Sequence, residues 1–294
     1  MSSTWVVGQF GPEGLDLTGP LCARPLPCPP YRPYPPVKQQ QYAKAMTVCI
    51  ALSCREDDEL RIVLCMDSRL DETYSSTDSA NKVDAIGHNW FALISGDDWI
   101  MANELSRFIG KNFAEAPCPT EREEPFTIIK QATSDFQSSP FCTASHRVDL
   151  IVGGFIGEEP MLMYTGYADG QPYTALSGDM AVIGSGSSIA TAFLKIRKYG
   201  PMSSVRRALY IAYEAKKYSE NAPSVGPKTA LAVLFPSGKT RTFGHKYNDR
   251  LEESRRKFGL QPIDLGALPD PRYPTNGQSP LPPLPESPGG SDVS

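Results

Sequence analysis

The sequence predicts an α+β fold, in the form of a four-layer α/β/β/α sandwich of about 200 residues. Apolar runs with the length of strands alternate with segments of helical periodicity, in the order strands, two helices, strands, two helices, strands. Two groups of strands and two pairs of helices are what two sheets packed face to face, with helices outside, require. The high proline content of both chain ends places the boundaries of this domain at residues 47–248.

The two ends of the chain combine many prolines with little apolar periodicity. Nine of the 28 prolines lie in residues 1–46, and nine more follow residue 249. Because proline fixes φ and removes a backbone donor, we expect a disordered leader at 1–46 and a largely disordered tail at 249–294. One amphipathic helix is expected at about 250–265. The leader is either a propeptide or a mis-assigned start, with translation beginning at Met46, and the sequence leaves both interpretations open.

Strands and a pair of helices account for the first half of the domain. A charged turn at Arg55–Glu59 joins two apolar runs into a hairpin. A polar loop at 70–80 is followed by a short extended piece that opens at Asn81-Lys82-Val83 and by a strand at Asn89–Ser95. Apolar residues at helical spacing then predict one helix that begins near Asp97 and another at about 123–138. The hairpin strands are Val48–Leu52 and Arg61–Met66, and the inward helical residues are Met101, Leu105, Phe108, Ile109, Ile129, Ala132 and Phe136.

The second half of the domain repeats this order. A hairpin turns at Gly157–Glu159, and a short strand at Met180–Ile183 runs into the stretch Gly184–Ser187. Two helices follow, separated at Gly200-Pro201, and a last hairpin turns at Pro236–Lys239. The strands of these hairpins are Val148–Ile156, Pro160–Gly166, Thr229–Phe235 and Thr240–Phe243.

Composition excludes several classes of function. The 294 residues carry a net charge of −4, so no basic field favours nucleic acid or an anionic membrane as a partner. The sequence has no apolar run long enough to predict a membrane span. Seven single cysteines fit neither a disulfide framework nor a zinc site and favour a reducing, cytoplasmic compartment. The three histidines lack the spacing of metal ligands, so no metal and no cofactor are predicted.

The candidate chemistry begins at Thr47, the first residue after Met46 and the start of the first strand. If Met46 and everything before it are removed, Thr47 carries a free α-amine with a pKa near 8, and such an amine activates the hydroxyl of the same residue as a nucleophile. Asp67 and Lys82 are candidates for a carboxylate–ammonium pair beside it, and Gly96 is a candidate backbone donor to an oxyanion. Singly, each also fits a plain structural role: an internal strand threonine, a turn cap, a surface charge or a turn glycine.

Taken in order, five segments resemble the proteasome β-subunit family of N-terminal nucleophile (Ntn) hydrolases. The resemblance covers residues 47–245, roughly two thirds of the chain, and is greatest to the short bacterial and archaeal proteasome-like proteins that begin Met-Thr. The segments are Thr47-Val48-Cys49-Ile50-Ala51, Met66-Asp67-Ser68-Arg69, Asn81-Lys82-Val83, Leu93-Ile94-Ser95-Gly96-Asp97 and Val182-Ile183-Gly184-Ser185-Gly186-Ser187.

The resemblance assigns a role to each residue of a site. It implies that Thr47 is the nucleophile and that Asp67 and Lys82 are the family's catalytic aspartate and lysine. It also implies that Gly96 is the oxyanion glycine and that Ser185 supports the α-amine.

The sequence departs from the family pattern at several points. Thr47 and Asp67 are a few residues further apart than is usual, and Met46 stands where the family has a glycine before the threonine. Asn221 falls where the second aspartate is expected, with Ser224 at the position of the following serine. An amide accepts a hydrogen bond but carries no charge, so Asn221 changes the electrostatics implied for the site.

The resemblance implies a threonine amidohydrolase, most simply a peptidase, that acts on peptide or amide substrates within a ring-shaped homo-oligomer. An ATPase partner is compatible with this interpretation. Two alternatives remain open: a catalytically silent scaffold or binding subunit of the same fold, and an Ntn amidohydrolase acting on a small molecule. Apolar residues extending around two outer helices also predict contacts between subunits, unless one helix is sunk in its own core; they are Trp99, Ile100, Tyr210 and Ile211.

Overall fold

The computed structural model describes residues 47–67, 70–71, 76–77, 82–87, 89–143, 145–222 and 225–271. These residues form a mixed α and β structure with two five-stranded antiparallel sheets, one two-stranded antiparallel pair and five α-helices. Within the described part of the chain, every helix is too short or too polar to cross a membrane.

The elements follow one another in the order expected from the sequence, with three additional short strands at Leu70–Asp71, Ser76–Thr77 and Gln171–Leu176. The strands are β1 (Cys49–Glu56), β2 (Glu59–Asp67), β3 (Leu70–Asp71), β4 (Ser76–Thr77), β5 (Val83–Gly87), β6 (Trp90–Gly96), β7 (Val148–Ile156), β8 (Glu159–Ala168), β9 (Gln171–Leu176), β10 (Met180–Ile183), β11 (Thr229–Leu234) and β12 (Thr240–Phe243). The helices are α1 (Trp99–Glu115), α2 (Glu123–Phe136), α3 (Ser187–Ile196), α4 (Val205–Ser219) and α5 (His245–Phe258), followed by a 3-10 turn at Leu265–Ala267.

The first sheet has the strand order β10-β1-β2-β11-β12, and the second has the order β5-β6-β7-β8-β9. In the first sheet Cys49 lies opposite Met66, so the start of β1 lies beside the end of β2. In the second sheet Val83 lies opposite Leu93, which places the residue before β5 near the end of β6. These two registers bring the segments that carry the candidate residues to the ends of neighbouring strands.

Three apolar clusters hold the described residues together. Side chains of both sheets share one cluster, which contains Cys49, Leu64, Phe91, Leu93, Ile151 and Leu162. The opposite face of the first sheet packs on α3, α4 and α5, and the opposite face of the second sheet packs on α1 and α2. Because both faces of the central strands are buried, these strands read as continuous apolar runs and not as alternating ones.

Helix boundaries follow from local hydrogen bonds. The carboxylate of Asp98 accepts from the backbone N–H of Met101 and caps the start of α1. The hydroxyl of Ser204 caps α4 in the same way by accepting from Arg207. Both helices therefore begin where the polar residue precedes the apolar stripe.

Helix α4 is buried on nearly all sides. Tyr210 and Ile211, which were expected to mark a contact between subunits, have no exposed surface and lie in the cluster shared by α3, α4 and α5. The helix is therefore sunk in its own core, which was the alternative explanation for its wide apolar face. On α1, by contrast, Ile100 is 66% exposed.

The packed chain continues beyond the predicted domain end at residue 248. Helix α5 begins at His245, and its residues Leu251 and Phe258 lie in the same cluster as α4. Leu268, further along, is also buried in that cluster. An amphipathic helix gains stability by docking its apolar stripe, so the first part of the proline-rich tail belongs to the core.

Candidate active site

Thr47 lies two residues before the start of β1 and is fully buried. Its hydroxyl donates a hydrogen bond to Oδ1 of Asp67 at 2.8 Å. The other carboxylate oxygen of Asp67 accepts from the backbone N–H of Val48 at 3.1 Å. The antiparallel register of β1 and β2 explains this contact, because it sets the last residue of β2 beside the residues that precede β1.

Lys82 completes a cluster of three polar side chains. Its ammonium donates to Oγ1 of Thr47 at 2.6 Å and forms an ion pair with Oδ1 of Asp67. Lys82 precedes β5 of the second sheet, whereas Thr47 and Asp67 belong to the first, so the cluster bridges the two sheets. The structure brings these three predicted residues together.

The ion pair between Lys82 and Asp67 is fully buried, and its burial limits the roles that it can have. The side chains of Lys82 and Asp67 have no exposed surface, which rules out a solvated surface charge for Lys82. Removing two charges from water is costly, and a buried pair of this kind is weak evidence for stability alone. In a medium of low polarity, however, the ammonium acts strongly on the hydroxyl of Thr47 that it contacts.

The segment after β10 encloses the backbone of Thr47. The carbonyl oxygen of Thr47 accepts from the N–H of Gly186 and from the hydroxyl of Ser185, each at 3.3 Å. Gly184 has φ +97°, and a Cβ at this position would overlap the same carbonyl oxygen. Only glycine therefore allows this segment to approach Thr47 so closely. Ser185 is predicted to support the α-amine of Thr47. In the structure its hydroxyl donates to the carbonyl oxygen of Thr47.

Gly96 ends β6 and precedes the first turn of α1. Its φ is +153°, and a Cβ there would lie 2.6 Å from the carbonyl oxygen of Arg147. A glycine is therefore required for the chain to leave the sheet at this point. Together with Gly184 and Ser185, Gly96 lines a cleft of about 630 Å³.

The cleft lies at the end of the layer between the two sheets. Ser95, Asp149, Gly166 and Tyr173 lie side by side across four strands of the second sheet. Of these four residues, Ser95, Asp149 and Tyr173 line the cleft and form its floor. The end of β10 and the glycine-rich segment form the facing wall. Because that segment also contacts Thr47, the cleft adjoins the buried cluster.

Cys49 is two residues from Thr47 and is a poor nucleophile. Burial raises the pKa of its thiol to about 12, although the charge of Lys82 acts in the opposite direction. The thiol is therefore protonated at neutral pH, and it donates to the carbonyl of Ile94 at 3.6 Å.

The structure does not bring Asn221 into this cluster. Its side chain is exposed and donates to the carbonyl of Tyr218 at 2.8 Å, in the turn that ends α4. Ser224, the other residue predicted from this segment, lies outside the described residues. The predicted contributions of Asn221 and Ser224 remain predictions.

Sequence reasoning missed three residues of the cleft. Tyr173 donates to Asp149 at 2.6 Å, and Arg147 donates to the same carboxylate at 2.9 Å. Asp149 is a charged residue in the otherwise apolar strand Val148–Ile156, and that was the signal available in the sequence. Its partner Tyr173 comes from β9, a strand that the sequence did not predict.

Among the described residues, no group of three or more His, Cys, Asp or Glu side chains could hold a metal ion. Comparison of the sequence with models of protein families and with curated proteins found no match in either case.

Proposed function

We propose that this chain is a threonine-type Ntn amidohydrolase, a peptidase in which Thr47 attacks an amide carbonyl. The observation that carries the proposal is the contact of the Lys82 ammonium with Oγ1 of Thr47 at 2.6 Å, with Asp67 bound to both. A strand threonine with a purely structural role needs no buried ammonium on its hydroxyl, because that charge must be removed from water.

The proposal includes the finer architecture. Two facing sheets enclose one apolar cluster, and each packs on helices through a second cluster on its opposite face. This distribution of buried residues supports a four-layer α/β/β/α sandwich of the proteasome-like Ntn type. It also accounts for a site at the end of the layer between the sheets, where residues of both reach one cleft.

The proposed mechanism requires that Thr47 be the first residue of the mature chain. Its α-amine then takes the proton of its own hydroxyl, and Oγ1 attacks the substrate carbonyl. The charge of Lys82 favours the developing alkoxide, and the backbone N–H of Gly96 donates to the oxyanion. The carbon–nitrogen bond breaks, the amine leaves with the proton, and an ester to Thr47 remains.

Water completes the cycle. The α-amine of Thr47 accepts a proton from a water molecule, which attacks the ester carbonyl. The acid leaves, and the proton returns to Oγ1. Every proton step uses the α-amine, so the pH dependence of hydrolysis should report a group with an ordinary pKa near 8.

A specific observation favours a catalytically silent scaffold as the second candidate. In the 294-residue chain the nitrogen of Thr47 is in a peptide bond with Met46, and the side chain is fully buried. A chain that keeps this peptide bond has no α-amine at Thr47 and therefore no base. The interpretation as a small-molecule amidohydrolase differs from the first only in the size of the substrate.

Three chains test the proposal: the full chain, a chain that begins at Thr47, and the same shortened chain with Thr47→Ala. Hydrolysis of fluorogenic peptide amides is expected only from the second, and from the first only after cleavage before Thr47. Equal hydrolysis by the second and third chains would show that Thr47 is not the nucleophile. No hydrolysis of peptide or small amides by the second would favour the scaffold.

We also propose a homo-oligomer, ring-shaped as in the family that the sequence resembles. Its support is now confined to α1, where Ile100 is 66% exposed next to the half-buried Trp99. Light scattering at micromolar concentration should give a multiple of the chain mass, and Ile100→Asp should reduce it. A single mass near that of one chain would refute the oligomer. An ATPase partner remains a proposal of the same resemblance.

A further inference from the structure

The floor of the cleft contains a fixed row of polar groups. Asp149, Gly166 and Tyr173 lie opposite one another on β7, β8 and β9. Gly166 has no side chain, so the phenol of Tyr173 reaches across it and donates to Oδ1 of Asp149 at 2.6 Å. Arg147 donates to the other oxygen of this carboxylate at 2.9 Å.

The positive charge of Arg147 is paired with the carboxylate of Asp149. The side chain of Asp149 is only 10% exposed, so its carboxylate requires a nearby cation, and Arg147 supplies it. Hydrogen bonding to Asp149 raises the pKa of the Arg147 guanidinium, to which the charge of Asp97 also contributes. Arg147 is therefore permanently charged and already paired.

Asp97 is the second carboxylate of the cleft. It follows Gly96, is half-buried, and its side chain makes no hydrogen bond or ion pair with the described residues. Among the described residues that line the cleft, two carboxylates thus face one guanidinium, and the lining has a net charge of −1. Tyr164 and Tyr173 add aromatic surface, which attracts cations.

We propose that this cleft binds a cationic substituent of the substrate and that Asp97 is the residue that determines this specificity. The inference rests on the proposed function, because it takes the group bound in the cleft to be part of a substrate that Thr47 attacks. A substrate whose amide carbonyl reaches Gly96 and Thr47 would place a neighbouring substituent against Asp97, one residue away in the chain. A lysine or arginine side chain, or an amidinium, is the chemical class that the charge of the lining selects.

Three probes of nearly equal shape and different charge test the cleft directly. Calorimetric titration of the full chain should show that benzamidine binds about tenfold more tightly than benzamide, with benzoate weakest. Asp97→Asn should remove this advantage of benzamidine and leave the binding of benzamide unchanged. The matched control is Asp169→Asn, an exposed carboxylate one residue beyond the cleft lining, which should bind all three probes as the unaltered chain does.

Several outcomes would overturn the proposal. They are equal affinity for benzamidine and benzamide, tighter binding of benzoate, no binding of any probe, and an effect of Asp97→Asn no larger than that of Asp169→Asn. Binding does not require hydrolysis, so the two proposals fail separately. Charge-selective binding without hydrolysis of any amide would overturn only the proposed function, and hydrolysis without a preference for a lysine beside the cleaved bond would overturn only this one.

Discussion

Two buried ion pairs in this molecule have similar composition and different surroundings. At the candidate site Lys82 pairs with Asp67, and between helices Arg197 pairs with Glu214 at 2.5 Å and 2.7 Å. All four side chains are at most 7% exposed. In each pair, therefore, two charges have been removed from water, which costs free energy.

The two pairs differ in the other groups to which each cation donates hydrogen bonds. Arg197 also donates to the backbone carbonyls of Gly259 and Gln261, so its guanidinium ties α3 and α4 to the segment after α5. Lys82 donates to the hydroxyl of Thr47. Arginine offers a planar fork suited to several fixed acceptors, whereas lysine is a compact point charge.

The comparison indicates what marks a site. Burial and pairing alone are shared by a structural connection and by a candidate catalytic cluster. The difference lies in the other acceptors. Arg197 donates to backbone carbonyls, which are not reactive groups, whereas Lys82 donates to a hydroxyl beside a cleft. The comparison predicts that loss of either cation lowers stability by a similar amount, and that only loss of Lys82 lowers activity.

The largest expected effect separates the pairs directly. In the chain that begins at Thr47, Lys82→Met should lower amide hydrolysis about 10³-fold, because the positive charge beside the Thr47 hydroxyl is lost. It should also lower the free energy of unfolding by about 3–5 kcal/mol, because Asp67 is left buried without its cation. Urea unfolding and turnover per folded molecule measure the two effects.

Arg197→Met is the matched control for Lys82→Met. It leaves Glu214 buried, where burial already raises the pKa of this carboxyl, and should destabilise the protein by a similar 3–5 kcal/mol. Turnover per folded molecule should stay unchanged. An equal loss of turnover in both variants would show that Lys82 acts only through the fold.

Removing both charges at the site should separate stability from activity. Asp67→Asn with Lys82→Met leaves no unpaired charge, so its stability should return to within about 2 kcal/mol of the unaltered chain. Activity should stay as low as in Lys82→Met alone. A double variant that recovers turnover would contradict a role for either charge in the reaction.

The segment that encloses Thr47 gives a smaller effect. Gly184→Ala places a methyl group against the carbonyl oxygen of Thr47 at a positive φ, and should lower the free energy of unfolding by about 1–3 kcal/mol together with activity. Gly178→Ala, where a Cβ would meet nothing within 4 Å, is the control and should change neither by much. Equal results for the two variants would show that the close approach at Gly184 is unimportant.

A partly exposed pair gives the smallest effect. Hydrogen bonds from Arg255 lower the pKa of Glu252 from 4.5 to about 2, and Tyr213 also donates to it. A depressed folded-state pKa means that the stabilisation is full above pH 4.5 and is lost as the pH falls toward 2. Glu252→Gln should therefore cost about 1 kcal/mol at pH 7 and little near pH 2, by urea unfolding.

Glu253→Gln, at the exposed neighbouring position, is the control for Glu252→Gln and should leave stability within about 0.5 kcal/mol at both pH values. A pH-independent effect of Glu252→Gln would show that packing, and not charge, accounts for its contribution.

The sequence predicted the parts of the molecule whose signal is local. Apolar runs and helical spacing located three hairpins and the four helices α1 to α4. The polar residues at strand ends and after the loop at 70–80 made Thr47, Asp67 and Lys82 candidates for one site. It missed β9, because Gln171–Leu176 has no buried face and so no apolar pattern. It also missed the contact of Tyr173 with Asp149, which depends on the register of three strands and on the absence of a side chain at Gly166.

The most direct test of the central claim is the intact mass of the species that hydrolyses an amide substrate. The full chain should be incubated, separated by size, and each fraction assayed and weighed. If Thr47 is an N-terminal nucleophile, activity will be confined to chains that begin at Thr47. Hydrolysis by a chain that still carries residues 1–46 would contradict the claim.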